Sequence, residues 1–170
     1  MSPEIPKTMD RETALALFDQ LDPADETFML GNWRGWELIT GHPMEGLLEA
    51  SGWHGKTFLN REEVHPLVFK SGKKHKFSGK PALLFSMSGL PVPKPLIPFL
   101  MSLIKPLIQT KRSKARLRMM EYRGKVSATM IYDELPICDA FRKIDPHRVL
   151  GIMDSKGQEM PYFFVLEKEP

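Results

Sequence analysis

One cysteine, Cys138, stands in a chain of 170 residues, so no intrachain disulfide framework can form and a reducing compartment suits the protein. No apolar run reaches the roughly 20 residues that a membrane-spanning helix requires. The opening residues, Met1-Ser-Pro-Glu-Ile-Pro-Lys7, lack a basic stretch followed by an apolar one. No secretory signal is read there, and a cytoplasmic location is expected. Also missing are a Gly-x-Ser-x-Gly elbow, a P-loop and a dinucleotide fingerprint, which leaves nucleophilic and nucleotide-dependent chemistry without support. His42, His54, His65, His75 and His147 are far apart and show no paired spacing. Histidines on different strands could still converge, but no metal and no cofactor are expected. The net charge is only +3, and its basic runs, residues 70–80 and 111–118, are not interleaved with an aromatic stacking platform. Nucleic acid is therefore not an expected partner.

What is present is enough apolar material, 42% of residues, for one complete core, so residues 1–170 are expected to form one domain. Asp10 reads as the N-cap of a helix running to Leu21, with Ala14, Leu17, Phe18 and Leu21 on one stripe. Asp22-Pro23 ends it. In Phe28-Met-Leu-Gly-Asn-Trp-Arg-Gly-Trp-Glu-Leu-Ile39, period two puts Gly31, Trp33 and Gly35 on one strand face. The glycines leave room for a neighbouring strand or side chain to close over Trp33, which makes these three residues a structural anchor. A short helix over 44–50 follows, closed by Gly52.

Thereafter the segments shorten. Strands are expected over 53–58, 64–69, 74–77 and 82–86, separated by Asn60-Arg61, Ser71-Gly72 and Gly79-Lys-Pro81. A second series runs over 115–122, 126–132, 135–144, 148–153 and 161–167, with Arg123-Gly124 as a hairpin turn. The fold class is mainly β, with about ten strands and no βαβ alternation, and an antiparallel array of that length tends to close into a barrel. Tyr162, Phe164 and Leu166 face one way and Phe163 and Val165 the other, as in a barrel packed inside and out. Between the two series lies a Pro-rich apolar connector. Its prolines 91, 93 and 95 favour extended chain, Pro98 suits a first helical turn, and Pro106 is expected to stop the helix near Ile104. Leu96 to Ile108 could pack on the barrel, cover its mouth, touch a membrane surface transiently or join two subunits as a homodimer.

Candidate chemistry rests on few residues. Arg116 and Arg118 alternate with Ala115, Leu117 and Met119, so both arginines share a face. That face is either solvated or, if it is the interior, an anion site for a carboxylate or phosphate. Asp139 lies in an apolar strand and needs a partner, with Arg116 or Arg118 as candidates. Asp133, Asp139 and His42 are the acid–base candidates if the protein is an enzyme. Ligand contacts are expected from Arg116, Arg118, Tyr132, Asp139 and Phe164.

Gly31-Asn-Trp-Arg-Gly35, Thr40-Gly-His-Pro43 and Gly52-Trp-His-Gly-Lys-Thr-Phe58 resemble the N-terminal segment of bacterial GXWXG-type proteins. Residues 115–124, 130–142 and 150–154 resemble the domain of unknown function that accompanies it. On this likeness the first half spans about 15–87, the connector 88–113 and the second half 114–168. The resemblance implies a calycin-like barrel, similar to lipocalins and fatty-acid-binding proteins, with Trp33 at its closed end. It further implies a carrier of a small hydrophobic ligand, such as a fatty acid or similar apolar anion.

Overall fold

The computed structural model describes residues 4–71, 75–87 and 92–170. The expected turn at Ser71-Gly72, the start of a strand at Lys74 and the extended stretch through Pro91 fall wholly or partly outside the described residues. Helix α1 (Arg11–Gln20) begins where Asp10 accepts a hydrogen bond from the Thr13 amide. A two-residue strand β1 (Asp22–Pro23) and a turn of helix α2 (Glu26–Met29), capped by Asp25, lead into β2 (Gly31–Glu37). Then come α3 (Leu47–Ala50), β3 (Trp53–Phe58), β4 (Val64–Ser71) and β5 (His75–Gly79). Helix α4 (Pro81–Met87) ends the first half, and a 3-10 turn at Lys94–Leu96, helix α5 (Ile97–Ile108) and β6 (Gln109–Thr110) lie in the connector. The second series is β7 (Ala115–Tyr122), β8 (Lys125–Tyr132), β9 (Ile137–Asp145), β10 (Arg148–Ser155) and β11 (Tyr162–Lys168).

These strands pair antiparallel in the order β3-β2-β11-β10-β9-β8-β7-β4, and a further pairing of β3 with β4 closes the ring into an eight-stranded barrel. Two expectations, one at the end of the first half and one in the connector, are corrected. Residues 82–86 are helical, because Pro81 supplies a first turn and Leu84 and Phe85 then face inward together, as residues on a helix do. Pro106 does not stop α5, which runs on to Ile108. The Arg123-Gly124 turn has φ of 50° and 76° at its two residues, the geometry that joins tightly paired strands.

Two cores result. Tyr162, Phe164 and Leu166 lie inside with Trp33, Phe58 and Phe141. Phe163 and Val165 lie outside, where they pack with Ala14 and Phe18 of α1. One strand thus feeds both cores through its period of two. Among the described residues no helix is long and apolar enough to cross a membrane.

Candidate functional site: a cavity with a buried ion pair

Strand β3 is where the site is built. Counting back by twos from the buried Phe58 puts Lys56 inside but would turn Trp53 outward. The register of β3 against β4 shifts on both sides of Gly55, and with that irregularity Trp53 and Lys56 both line the interior cavity. Gly55 has φ of +155°, and a Cβ there would stand 1.9 Å from the carbonyl oxygen of Trp33. Only glycine allows the two backbones this approach. His54 is left to pair with Glu169, Nε2 to Oε1, at 2.8 Å.

Lys56 meets Asp139 of β9 across the interior. Its Nζ is 2.8 Å from Asp139 Oδ2, with side chains only 3% and 1% exposed. It also donates to the carbonyl oxygen of Pro66 at 3.1 Å, at the point where the β3–β4 ladder is irregular. The ammonium sits 4.9 Å from the centre of the Phe164 ring, 5.7 Å from that of Trp53 and 5.8 Å from that of Tyr132. Neither charge would be tolerated so deep alone, whereas the pair, supported by ring faces and a carbonyl, is. Burial raises the Asp139 carboxyl above the usual range, and Lys56 pulls it back in part. Burial, with the charge of Asp139 added, holds the Tyr132 phenol well above its ordinary value, so its hydroxyl stays protonated.

The remaining walls are apolar. Leu47 and Leu48 of α3, Leu84 and Phe85 of α4, and Leu100 and Ile104 of α5 roof a cavity of about 150 Å³. Glu37 fastens this roof to the barrel. Its carboxylate accepts from the amides of Gly46 at 3.0 Å and Glu49 at 3.2 Å, and from the Tyr162 hydroxyl. Burial, and then the neighbouring Glu37, push the Tyr162 phenol strongly upward.

Of the residues singled out from the sequence, Tyr132, Asp139 and Phe164 are brought together at this cavity. Arg116 and Arg118 are not. Ala115 and Leu117 are the buried residues of β7, so the register sends the arginines outside, where Arg118 pairs with Glu62 at 2.5 Å. Asp139 accordingly takes Lys56, not an arginine, as its partner. Asp133 is exposed just beyond β8. His42 is buried but lies behind Tyr162, ring centres 5.3 Å apart, and its Nδ1 accepts from the Met44 amide at 3.1 Å. Burial lowers its pKa, against the opposing charge of Glu45.

Trp33 is fully buried and donates from Nε1 to the Met29 carbonyl at 2.7 Å, away from the cavity lining. Gly35 leaves room for the side chain of Trp53, since a Cβ there would be 2.2 Å from its ring. A Cβ on Gly31 would meet the Lys168 side chain at 3.2 Å. Lys56 is the residue that sequence reasoning passed over. Its signal was a lysine between Gly55 and Phe58 in a strand otherwise composed to be buried.

A closed antiparallel barrel around an apolar cavity with an ionic floor defines a calycin-like β-barrel protein. Family models match two stretches: GXWXG protein over residues 16–74, and a domain of unknown function, DUF4334, over residues 113–168. A crystal structure of a protein from Thermomonospora curvata is 34% identical, with a TM-score of 0.72, over 96% of this chain and 91% of that one. The chain belongs to the GXWXG family, with DUF4334 as its second segment. Among curated proteins, nothing matches it.

Proposed function

We propose that this protein binds a small hydrophobic molecule inside its barrel. The observation that carries the reading is the cavity of about 150 Å³ with apolar walls, roofed by three helices and floored by Lys56, Asp139 and Tyr132. A space of that size suits a ring or a short chain. The expectation of a fatty acid or similar anion drew on Arg116 and Arg118. With both outside, Lys56 is the cation on the cavity wall among the described residues, and Asp139 already neutralises it.

Native mass spectrometry of freshly purified protein is expected to show a retained small molecule, or ligand-observed NMR the uptake of an added single-ring probe such as toluene. Leu100→Trp, which fills the space from the roof, should weaken probe uptake about tenfold or more without unfolding the barrel. A protein that carries nothing and takes up nothing would end the reading.

A second reading is acid–base chemistry on a bound substrate. It draws on Asp139, a carboxyl raised by burial with a lysine ammonium at 2.8 Å. Recovery of the retained molecule chemically unchanged after long incubation supports binding alone, and its conversion would support the enzyme.

For the connector we propose contact with a second copy of the chain. The cavity takes Ile97, Leu100, Met101 and Ile104, which leaves Phe99, Leu103 and Leu107 exposed on the outer side. Size-exclusion chromatography should show a dimer that Leu103→Lys converts to monomer. An unchanged elution volume in that variant would reject the contact.

A further inference from the structure

The polar floor of the cavity also contains a hydrogen-bonding pattern, and it differs from that of an anion site. Lys56 carries three N–H donors. One is directed to Asp139 Oδ2 at 2.8 Å and one to the Pro66 carbonyl at 3.1 Å, which leaves the third with no acceptor among the described residues. Asp139 Oδ1 is buried and has no hydrogen-bond partner among the described residues. Among those residues Nε1 of Trp53, on the cavity wall, has none either. Buried groups of this kind are costly to leave unmet, and several around one small space are a ligand's complement.

We infer that the site selects a hydrophobic molecule whose head group is uncharged and both donates and accepts a hydrogen bond, such as an alcohol or a primary amide, over the corresponding carboxylate. This inference rests on the binding reading above and specifies its ligand. The head group's O–H or N–H donates to Asp139 Oδ1. Its oxygen accepts from the Trp53 indole or from the remaining Lys56 N–H. The Tyr132 hydroxyl, on the same floor, can serve either way.

Charge makes the selection. Lys56 and Asp139 sum to zero, and among the described residues the rest of the wall carries no charged side chain. An uncharged head group leaves that balance intact and satisfies groups that are otherwise orphaned. A carboxylate adds a second negative charge beside Asp139 in a medium that screens poorly, and it offers no donor to Oδ1. It would bind only by displacing Asp139 from Lys56, which strands a buried carboxylate.

The test is competition against toluene, followed by ligand-observed NMR, on the full chain at about pH 8, where a free carboxylic acid is ionised. Octan-1-ol and octanamide should displace the probe at concentrations about tenfold or more below octanoate. 1-Methoxyheptane, which accepts but cannot donate, should fall behind octan-1-ol. Octanoate equal to or tighter than the alcohol would overturn the inference while leaving the binding reading intact. Failure of the probe and every competitor to bind would remove both. Asp139→Asn gives a second measurement, because it leaves the Lys56 charge uncompensated. Octanoate should then gain about tenfold relative to octan-1-ol, and an unchanged ratio would count against the inference. The wild-type series decides the matter by itself if that variant does not fold.

Discussion

Gly55→Ala is expected to leave little or no folded protein, with a loss of about 4 kcal/mol or more in any fraction that can be measured by urea denaturation. Two costs coincide at this position. The backbone holds φ at +155°, where an L side chain is strained, and the added Cβ would be 1.9 Å from the Trp33 carbonyl oxygen. A collision with backbone cannot be relieved by a rotamer change, so β2 and β3 would have to separate. Gly157→Ala is the matched control. Its φ is +83° with nothing within 4 Å of the added carbon, so it carries conformational strain alone and should lose only about 1–2 kcal/mol. Equal stability losses in the two variants would show that β2 and β3 are not held as close as described.

Lys56→Met should destabilise the protein by about 3–5 kcal/mol at neutral pH, because it leaves Asp139 as an unpaired carboxylate that is 1% exposed. Acidification should restore part of the loss. Burial raises the Asp139 carboxyl above its ordinary 3.8, and Lys56 is what pulls it down. Without the lysine the folded state binds a proton at pH values where the unfolded chain has already released it. Between those two pKa values stability therefore falls as pH rises, and it recovers as pH falls. Lys56→Met with Asp139→Leu removes both charges and should regain most of the stability. Urea denaturation of the three proteins across a pH series separates these outcomes. A loss below about 1 kcal/mol in the single variant, with no pH dependence, would mean that the pair is not buried together.

Much of the barrel was legible because its strands obey their period. The two-sidedness of 162–167 follows from alternate residues meeting different cores, and the Arg123-Gly124 turn from two adjacent residues with positive φ. The cavity was legible only in part. Tyr132, Asp139 and Phe164 sit on regular stretches of β8, β9 and β11, where alternation holds. Lys56 sits beside a break in alternation, so a strict count from Trp53 assigns it to the wrong side. Arg116 and Arg118 share one face in the sequence, but their neighbours Ala115 and Leu117 are the residues that go inside. Small and apolar side chains took the interior of β7, and the guanidinium groups remained in water. Residues 82–86 were misread as a strand because a short apolar run has no period long enough to tell helix from strand.

The ring of strands is not equally fastened all round. Within the ring, the stretches matched by the two family models adjoin along β2 and β11, where five residue pairs are in register, and along β4 and β7, where one is, Val64 with Ala115; outside the ring β1 adds two pairs with β9. One join is a spine and the other a latch. The Lys56–Asp139 pair ties the same two stretches together from within, from β3 to β9. Parting the halves therefore costs least at the latch, and a ligand that settles on the ionic floor bears on the inner clasp that keeps the two covers shut.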